Sequence, residues 1–262
     1  MKKFKSSEAW ISLWAGMASV GLFVLIWYLG TKGTTLGKFI SSPDVVIKSL
    51  FEGIFGKVGK HSIIIHALYS LRRVMIGYLL GSFVGIVLGL MMGWYPVIKA
   101  IFWPIFSIIR PIPSIAWIPL SIIWFGLGED AKIFIVFISS FSNLTLNAYN
   151  GARNTDKSLV GAAQMLGANQ RNIFWTVVIP SSIPTIFAGL QVAMSSGWAT
   201  VMAAEMVRSS EGLGWMIIAG TNSNNITQIL TGIVAIGIVG FLLSTIIRKI
   251  EEVLCRWSKI GV

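Results

Sequence analysis

The sequence predicts an all-α, polytopic membrane protein with about six transmembrane helices. Three observations carry this. Of the 262 residues, 55% are hydrophobic and 12% charged. The apolar residues gather into long runs free of charge, and several of those runs reach the roughly 20 residues that a helix needs to cross a bilayer. The formal net charge of +11 does not point to nucleic acid, because the basic residues stand singly or in pairs beside apolar runs and compose no basic face. They read as topology and interface anchors. A single cysteine, Cys255, allows no intramolecular disulfide and no thiolate cluster.

Lys2, Lys3 and Lys5 precede the first charge-free run, residues 9–30. The layout resembles a leader peptide, but the run is too long and no small-x-small site closes it, so it reads as an uncleaved first span. Residues 31–73, with Pro43, Asp44, Glu52 and several lysines, read as a polar connection whose apolar stretch 63–68 is too short to cross. The second run, 74–98, carries Gly77, Gly81, Gly85, Gly89 and Gly93. Glycines at i+4 lay a stripe of small residues along a helix and let a neighbouring backbone approach closely in lipid. Four residues overshoot a 3.6-residue turn by about 40°, so the stripe drifts and is expected to meet more than one neighbour.

In 100–128 the only charge is Arg110, while Pro104, Pro111, Pro113 and Pro119 work against a regular helix. Irregular backbone at membrane depth is tolerated only inside protein or beside water. This segment is therefore the leading candidate for lining a pathway, with a kinked structural helix as the alternative. A fourth run, 133–152, holds Asn143 and Asn147 one turn apart. A fifth span is expected at about 183–204, ended by Glu205 and Arg208. The polar block 221–228 separates a short interfacial piece around Gly214 and Trp215 from a sixth span at about 229–247.

Six spans put both termini on one side. The tally of Lys and Arg on the two sides is close to even, but the N-terminal lysines and the short inner segments favour termini inside. That orientation places 154–184 in the cytoplasm. Within it, Asp156 is an N-cap, Leu159, Ala162, Ala163 and Leu166 fall at helical spacing on one face, and Gly167 is the left-handed stop. Asn169 caps a second short helix with Phe174, Val177 and Val178 on its apolar side, which Pro180 and Pro184 are expected to end. Each helix is too short to cross the hydrocarbon.

Ala162, Ala163, Gly167 and the run Val177, Val178, Ile179, Pro180 resemble the EAA loop of the membrane subunits of ATP-binding cassette importers. The spacing is specific, because small residues, a glycine and a proline coincide at fixed offsets over about 23 residues. Gly161 stands where the family usually has glutamate; this removes a capping box with Ser158 and costs roughly 1 kcal/mol of helix propensity. The string RPIPSIAWIPLSIIWFGLGE at 110–129 resembles the nitrate, sulfonate and taurine branch of these permeases. The resemblance implies a type I importer permease fold in one transmembrane domain, 1–262, with a cytoplasmic coupling hairpin at about 154–180. It also implies a multi-pass location in a prokaryotic cell membrane, a permease homodimer, a separate ATPase that holds ATP and Mg, and an extracytoplasmic substrate-binding protein.

The chain's own chemistry fits that division of labour. The nearest approach to an ATP-binding loop, residues 56–61, lacks the first glycine and has His61 where the magnesium-binding hydroxyl belongs. His61 and His66, five apart, share no helix face and form no metal site. No cofactor is expected on this chain, and ATP hydrolysis is not expected of it. The remaining candidates for handling substrate are Arg110, Pro113, Trp117, Asn143, Glu205 and Arg208. Arg110 would guide an anion, whereas Glu205 and Arg208 are also expected to pair with each other at a helix end. Two rivals stand beside the importer reading: an ion-coupled secondary transporter or channel, disfavoured by the few ionisable groups in the spans, and a membrane enzyme, disfavoured by the lack of any acid pair or nucleophile with its base.

Overall fold

The computed structural model describes residues 2–207 and 209–255, with side chains from residue 10 onward except 12 and 13. Its helices in chain order are α1 Lys2–Thr31, α2 Pro43–Phe55, α3 Ile63–Trp94, α4 Pro96–Ile109, α5 Ile118–Phe125, α6 Glu129–Arg153, α7 Lys157–Met165, α8 Gln170–Ile173, α9 Ile179–Val207, α10 Leu213–Asn222 and α11 Ile226–Leu254. Among the described residues the one β feature is an isolated antiparallel bridge between Val58 and His61. The chain divides into two compact units, Met1–Ile64 with Met216–Ala235, and Ile65–Trp215 with Ile236–Val262.

In the first unit, Pro43 occupies the first turn of α2, where a missing N–H costs nothing. Trp27 Nε1 donates to the Ser41 carbonyl at 3.2 Å, and the Ser41 and Thr227 hydroxyls lie 2.8 Å apart. The polar block expected between an interfacial piece and the last span is the turn between α10 and α11. Asn224 there adopts a left-handed φ of 52°, Asn225 Oδ1 accepts the Gln228 N–H at 3.0 Å, and Gln228 Nε2 donates back to the Met216 carbonyl at 3.1 Å.

The second unit is organised by α6. A Cβ built on Gly77, Gly81, Gly85, Gly89 and Gly93 would fall within 2.4 to 2.9 Å of the carbonyl oxygens of Ile133, Phe137, Phe141, Thr145 and Tyr149 in turn. Each step of four residues on α3 is matched by a step of four on α6, so one partner takes the whole stripe and the expectation of several neighbours is corrected. The stripe does drift, but the α6 carbonyls that meet it recur at the same four-residue step and drift with it. Another side of α6 meets α9 in the reverse direction: Gly189 abuts Asn147, and Gly151 abuts Ser182.

This register fixes a crossing. The two helices run the same way, because Gly77 lies beside Ile133 and Gly93 beside Ala152. The chain between them must therefore return once across the bilayer. That return is the bent pair Pro96–Ile109 and Ser114–Phe125, whose halves meet at 86°. With it, the five straight candidates Trp14–Thr31, Ile63–Trp94, Glu129–Arg153, Gln170–Val207 and Ile226–Leu254 become six spans. The break is confined to 110–113: Pro104 sits inside α4, and Pro119 lies in the first turn of α5, where proline is tolerated. The proline-rich segment is thus two ordinary helices and one corner.

Two further boundaries differ from expectation. Residues 63–73 belong to the α3 span rather than to a polar connection, because the buried Arg73 is neutralised by partners distant in sequence. The second hairpin helix is not ended by Pro180 and Pro184. After α8 the backbone makes a π-helical turn, Phe174–Val178, and runs on into α9 through both prolines. A wider turn just ahead of Pro180 relieves the clash that its ring would make with the preceding turn. The hydroxyls of Ser181 and Ser182 donate to the Val178 carbonyl at 3.0 and 2.7 Å and add side-chain bonds to the first turn of α9.

Candidate functional site

Three places in the second unit collect the chemistry. At the corner of the bent pair, a cavity of about 280 Å³ is lined by Arg110, Pro113, Ser114, Ser139, Ser142, Asn143 and Ser196, with Ile112, Ile138 and Leu146 between them. Asn143 lies about 15 Å from the Arg153 end of α6 and about 21 Å from the Glu129 end, which is near mid-depth. Its Nδ2 donates to the Ser139 carbonyl at 2.8 Å and to Ser196 Oγ at 2.9 Å, while Ser139 Oγ donates to Ser196 Oγ at 3.1 Å. Ser114 Oγ lies 3.0 Å from Thr200 Oγ1. The wall thus pairs one exposed guanidinium with hydroxyls, and no acid lines it. Such a set can replace the hydration of a small anion.

Sequence reasoning brought Arg110, Pro113 and Asn143 into this wall and missed its serines. Serine in an apolar run carries no periodic signal of its own. Trp117 ends the 3-10 turn Ser114–Trp117, half-buried and outside the cavity lining. Arg208 lies outside the described residues.

Glu205 belongs to the second place, a charge cluster built from α3, α6, α9 and the start of α10. Arg73, 1% exposed, forks onto Glu129 through Nε and Nη2, both at 2.7 Å. Its Nη1 donates to Glu205 Oε1 at 2.6 Å and to the Glu211 carbonyl at 2.9 Å. Glu205, also 1% exposed, accepts from Ser70 Oγ at 2.8 Å and, through Oε2, from the Gly214 N–H at 2.9 Å. Gly212, at φ +115°, lets the loop close over the carboxylate: a Cβ there would fall 2.4 Å from Glu205 Cδ. Its N–H donates to His66 Nδ1 at 3.1 Å. Among the described residues the cation on Glu205 is Arg73; the pairing expected with Arg208 falls outside them. Arg73 lies 20 residues, or about 30 Å along α3, from the Gly93 end, so the cluster sits at one membrane face.

The third place, at the opposite face, is the 154–180 hairpin. Asp156 Oδ1 accepts the N–H and the hydroxyl of Ser158, each at 2.8 Å, and these donors hold its carboxyl below the ordinary carboxylate range. Ser158 is inside the helix, so the cap position is Asp156. The other end closes as a Schellman motif: Ala168 N–H donates to the Ala163 carbonyl at 3.0 Å and Gly167 N–H to the Gln164 carbonyl at 2.9 Å, with Gly167 at φ +81°. Asn169 Oδ1 then caps α8 through the Asn172 N–H at 2.9 Å.

The hairpin has two apolar sides rather than one. Val160, Ala163 and Ala168 pack onto a core of Leu90, Ala148, Ala152, Ile173, Phe174, Val178 and Ile186, whereas Leu159, Ala162, Met165 and Leu166 face outward. Met165 is 91% and Leu166 88% exposed. Ala163 therefore leaves the face on which sequence spacing grouped it. A Cβ on Gly161 would meet nothing within 4 Å, and Pro180 is exposed.

A family model described as the binding-protein-dependent transport system inner membrane component matches residues 77–257. The chain is 37% identical to an ABC transporter permease protein of Methanocaldococcus jannaschii over 91% of this chain and 90% of that one. It is 32% identical to the taurine transport system permease protein of Escherichia coli, over 90% and 86% of the two chains. A nitrate import permease protein of Leptolyngbya laminosa is 32% identical over 70% of this chain and 66% of its own. Among solved structures, the inward-facing MetNI methionine ABC transporter shares the fold at a TM-score of 0.63 and 18% identity, covering 73% of this chain and 95% of that chain. The chain belongs to the binding-protein-dependent transport system inner membrane components, the permease subunits of ATP-binding cassette importers.

Proposed function

We propose that this permease subunit carries a small oxyanion, in the class of nitrate or an organic sulfonate, across a prokaryotic cell membrane, driven by a separate ATPase that docks on the 154–180 hairpin. Two copies form the pathway, an extracytoplasmic binding protein delivers the solute, and ATP and Mg stay on the ATPase. Both termini then face the cytoplasm, as does the hairpin. The observation that carries the coupling half is the hairpin's division into an inner side buried in the span core and an outer side with Met165 and Leu166 uncovered. A side chain exposed to that degree gains nothing from apolarity unless a partner covers it.

The mechanism follows from the connections. Ile173, Phe174 and Val178 are buried among α3, α6 and α9 residues, and the backbone passes from α8 through the π turn into α9 without a loop. A push on Leu159, Ala162 and Leu166 is therefore transmitted to α9, whose Ser196 and Thr200 stand at the mid-depth cavity. There Arg110 supplies the charge, and the serine hydroxyls and Asn143 supply shape. The names of the relatives, taurine and nitrate, agree with a solute bearing a delocalised negative charge.

The test separates the two halves. Leu166→Glu is expected to leave the subunit inserted while the ATPase no longer copurifies. Arg110→Ala is expected to keep the ATPase bound and to lower uptake of labelled nitrate or taurine at least tenfold. Undiminished copurification in the first variant would refute the coupling assignment, and undiminished uptake in the second would refute the pathway assignment.

A further inference from the structure

A cavity separate from the mid-depth one lies where α3 ends and the π turn begins. It measures about 490 Å³ and is lined by Val87, Leu90, Met91, Tyr95, Arg171, Phe174, Trp175 and Ile179. Its floor is apolar, with Leu90 buried in the span core. Its rim is aromatic: Tyr95 and Phe174 rings lie 5.5 Å apart and Trp175 stands edge-on to Phe174 at 5.8 Å. Arg171 is the one charged residue of the wall, and it sits two residues past the Asn169 cap, outside the apolar run. The neighbouring sequence is basic as well, with Lys99, Arg153 and Lys157 against Asp156.

Position and chemistry name the occupant. A slot on the outer surface of a span is open to acyl chains, and because chains gain little by leaving one apolar medium for another, specificity has to come from the head. Tyr and Trp mark the headgroup level, and a guanidinium beside them is placed to fork a phosphate. We propose that this slot binds one acyl chain of an anionic phospholipid whose phosphate pairs with Arg171. A chain seated there touches α3 on one wall and the π turn on the other, so its presence stiffens the joint through which the hairpin meets α9. The leaflet, cytoplasmic, rests on the orientation proposed above; the binding does not.

Native mass spectrometry of the full chain in detergent reads the binding directly, using dioleoyl phosphatidylglycerol, dioleoyl phosphatidylcholine and soluble glycerol phosphate as probes. The expected result is about a fivefold preference for phosphatidylglycerol over phosphatidylcholine, the scale of one basic contact, with no retention of glycerol phosphate. Arg171→Gln is expected to abolish the preference, lowering phosphatidylglycerol retention more than that of phosphatidylcholine, whose phosphate the choline already neutralises. Val87→Trp, at an exposed position of the slot's wall, is expected to fill the slot and reduce retention of both lipids. Equal retention of the two lipids by the unsubstituted chain, or an unaltered preference in Arg171→Gln, overturns the proposal, and so does binding of glycerol phosphate alone. None of these readouts depends on transport or on the ATPase.

Discussion

Replacing Glu205 by glutamine tests whether the buried charge cluster fastens one end of the spans. Its Oε1 accepts from Arg73 at 2.6 Å and its Oε2 from the Gly214 N–H at 2.9 Å. Both donors are fixed, one on a buried side chain and one on backbone. A carboxylate satisfies both, but an amide has a single acceptor, so either flip sets an NH2 group against a donor. The loss is that of a charge-assisted bond, about 1.5 to 3 kcal/mol. Glu205→Ala removes both acceptors and leaves Arg73 with only Glu129 as counter-charge, which raises the loss to about 3 to 5 kcal/mol. At about 2 to 4 °C per kcal/mol for a chain of this size, glutamine lowers the thermal midpoint by about 3 to 12 °C and alanine by about 6 to 20 °C. The assay is thermal unfolding of the detergent-solubilised chain, with monodispersity checked by size exclusion. Glu52→Gln is the control: its 3.9 Å pair with Lys48 is exposed and contributes little. Midpoints for Glu205→Gln and Glu52→Gln that coincide would show that the cluster fastens nothing.

Two other outcomes are expected. Gly89→Leu places a Cβ 2.4 Å from the Thr145 carbonyl oxygen and 2.7 Å from Ala148 Cβ, and is expected to cost about 1 to 3 kcal/mol or more in the same melt; Gly16→Leu, with nothing within 4 Å, is expected to be neutral. Asp156 sets a pH dependence at the hairpin. Its folded-state pKa lies below the ordinary value of 3.8, so its capping contribution is complete above that value and is lost only as pH falls through the lower folded one. Amide exchange of α7, referenced to intrinsic rates, is therefore expected to be level from pH 8 to 5 and to quicken only below the ordinary value of 3.8, with Asp156→Asn showing no such change. Quickening centred above pH 5 contradicts the assignment.

Much of the architecture was legible because lipid enforces simple rules. Charge-free length located most of the spans, and fixed offsets located the hairpin. Asp156, Gly167 and Asn169 do what caps and a left-handed stop do anywhere. What escaped were features set by residues far apart in sequence. Arg73 made residues 63–73 look like a loop because its neutralising partners, Glu129 and Glu205, lie 56 and 132 positions away. Pro180 looked like a stop because nothing in the local pattern announces a π turn. The cavity serines of α6 and α9 gain meaning only once Gly189 on Asn147 and Gly151 on Ser182 bring the two helices together.

The glycine stripe shows how a sequence feature can be read correctly as to type and wrongly as to consequence. Its drift follows from 3.6 residues per turn, yet the partner shares the drift, so five contacts fall on one helix. That has a mechanical corollary. Sliding α3 along α6 by less than one four-residue step, about 6 Å, would break the match between the glycines and the α6 carbonyls, where a Cβ has no room. The two helices therefore hold a single register and move as one body. Any displacement that reaches the mid-depth cavity from the hairpin has to be taken up where α6 meets α9, along an interface that carries Asn143, Ser139 and Ser196.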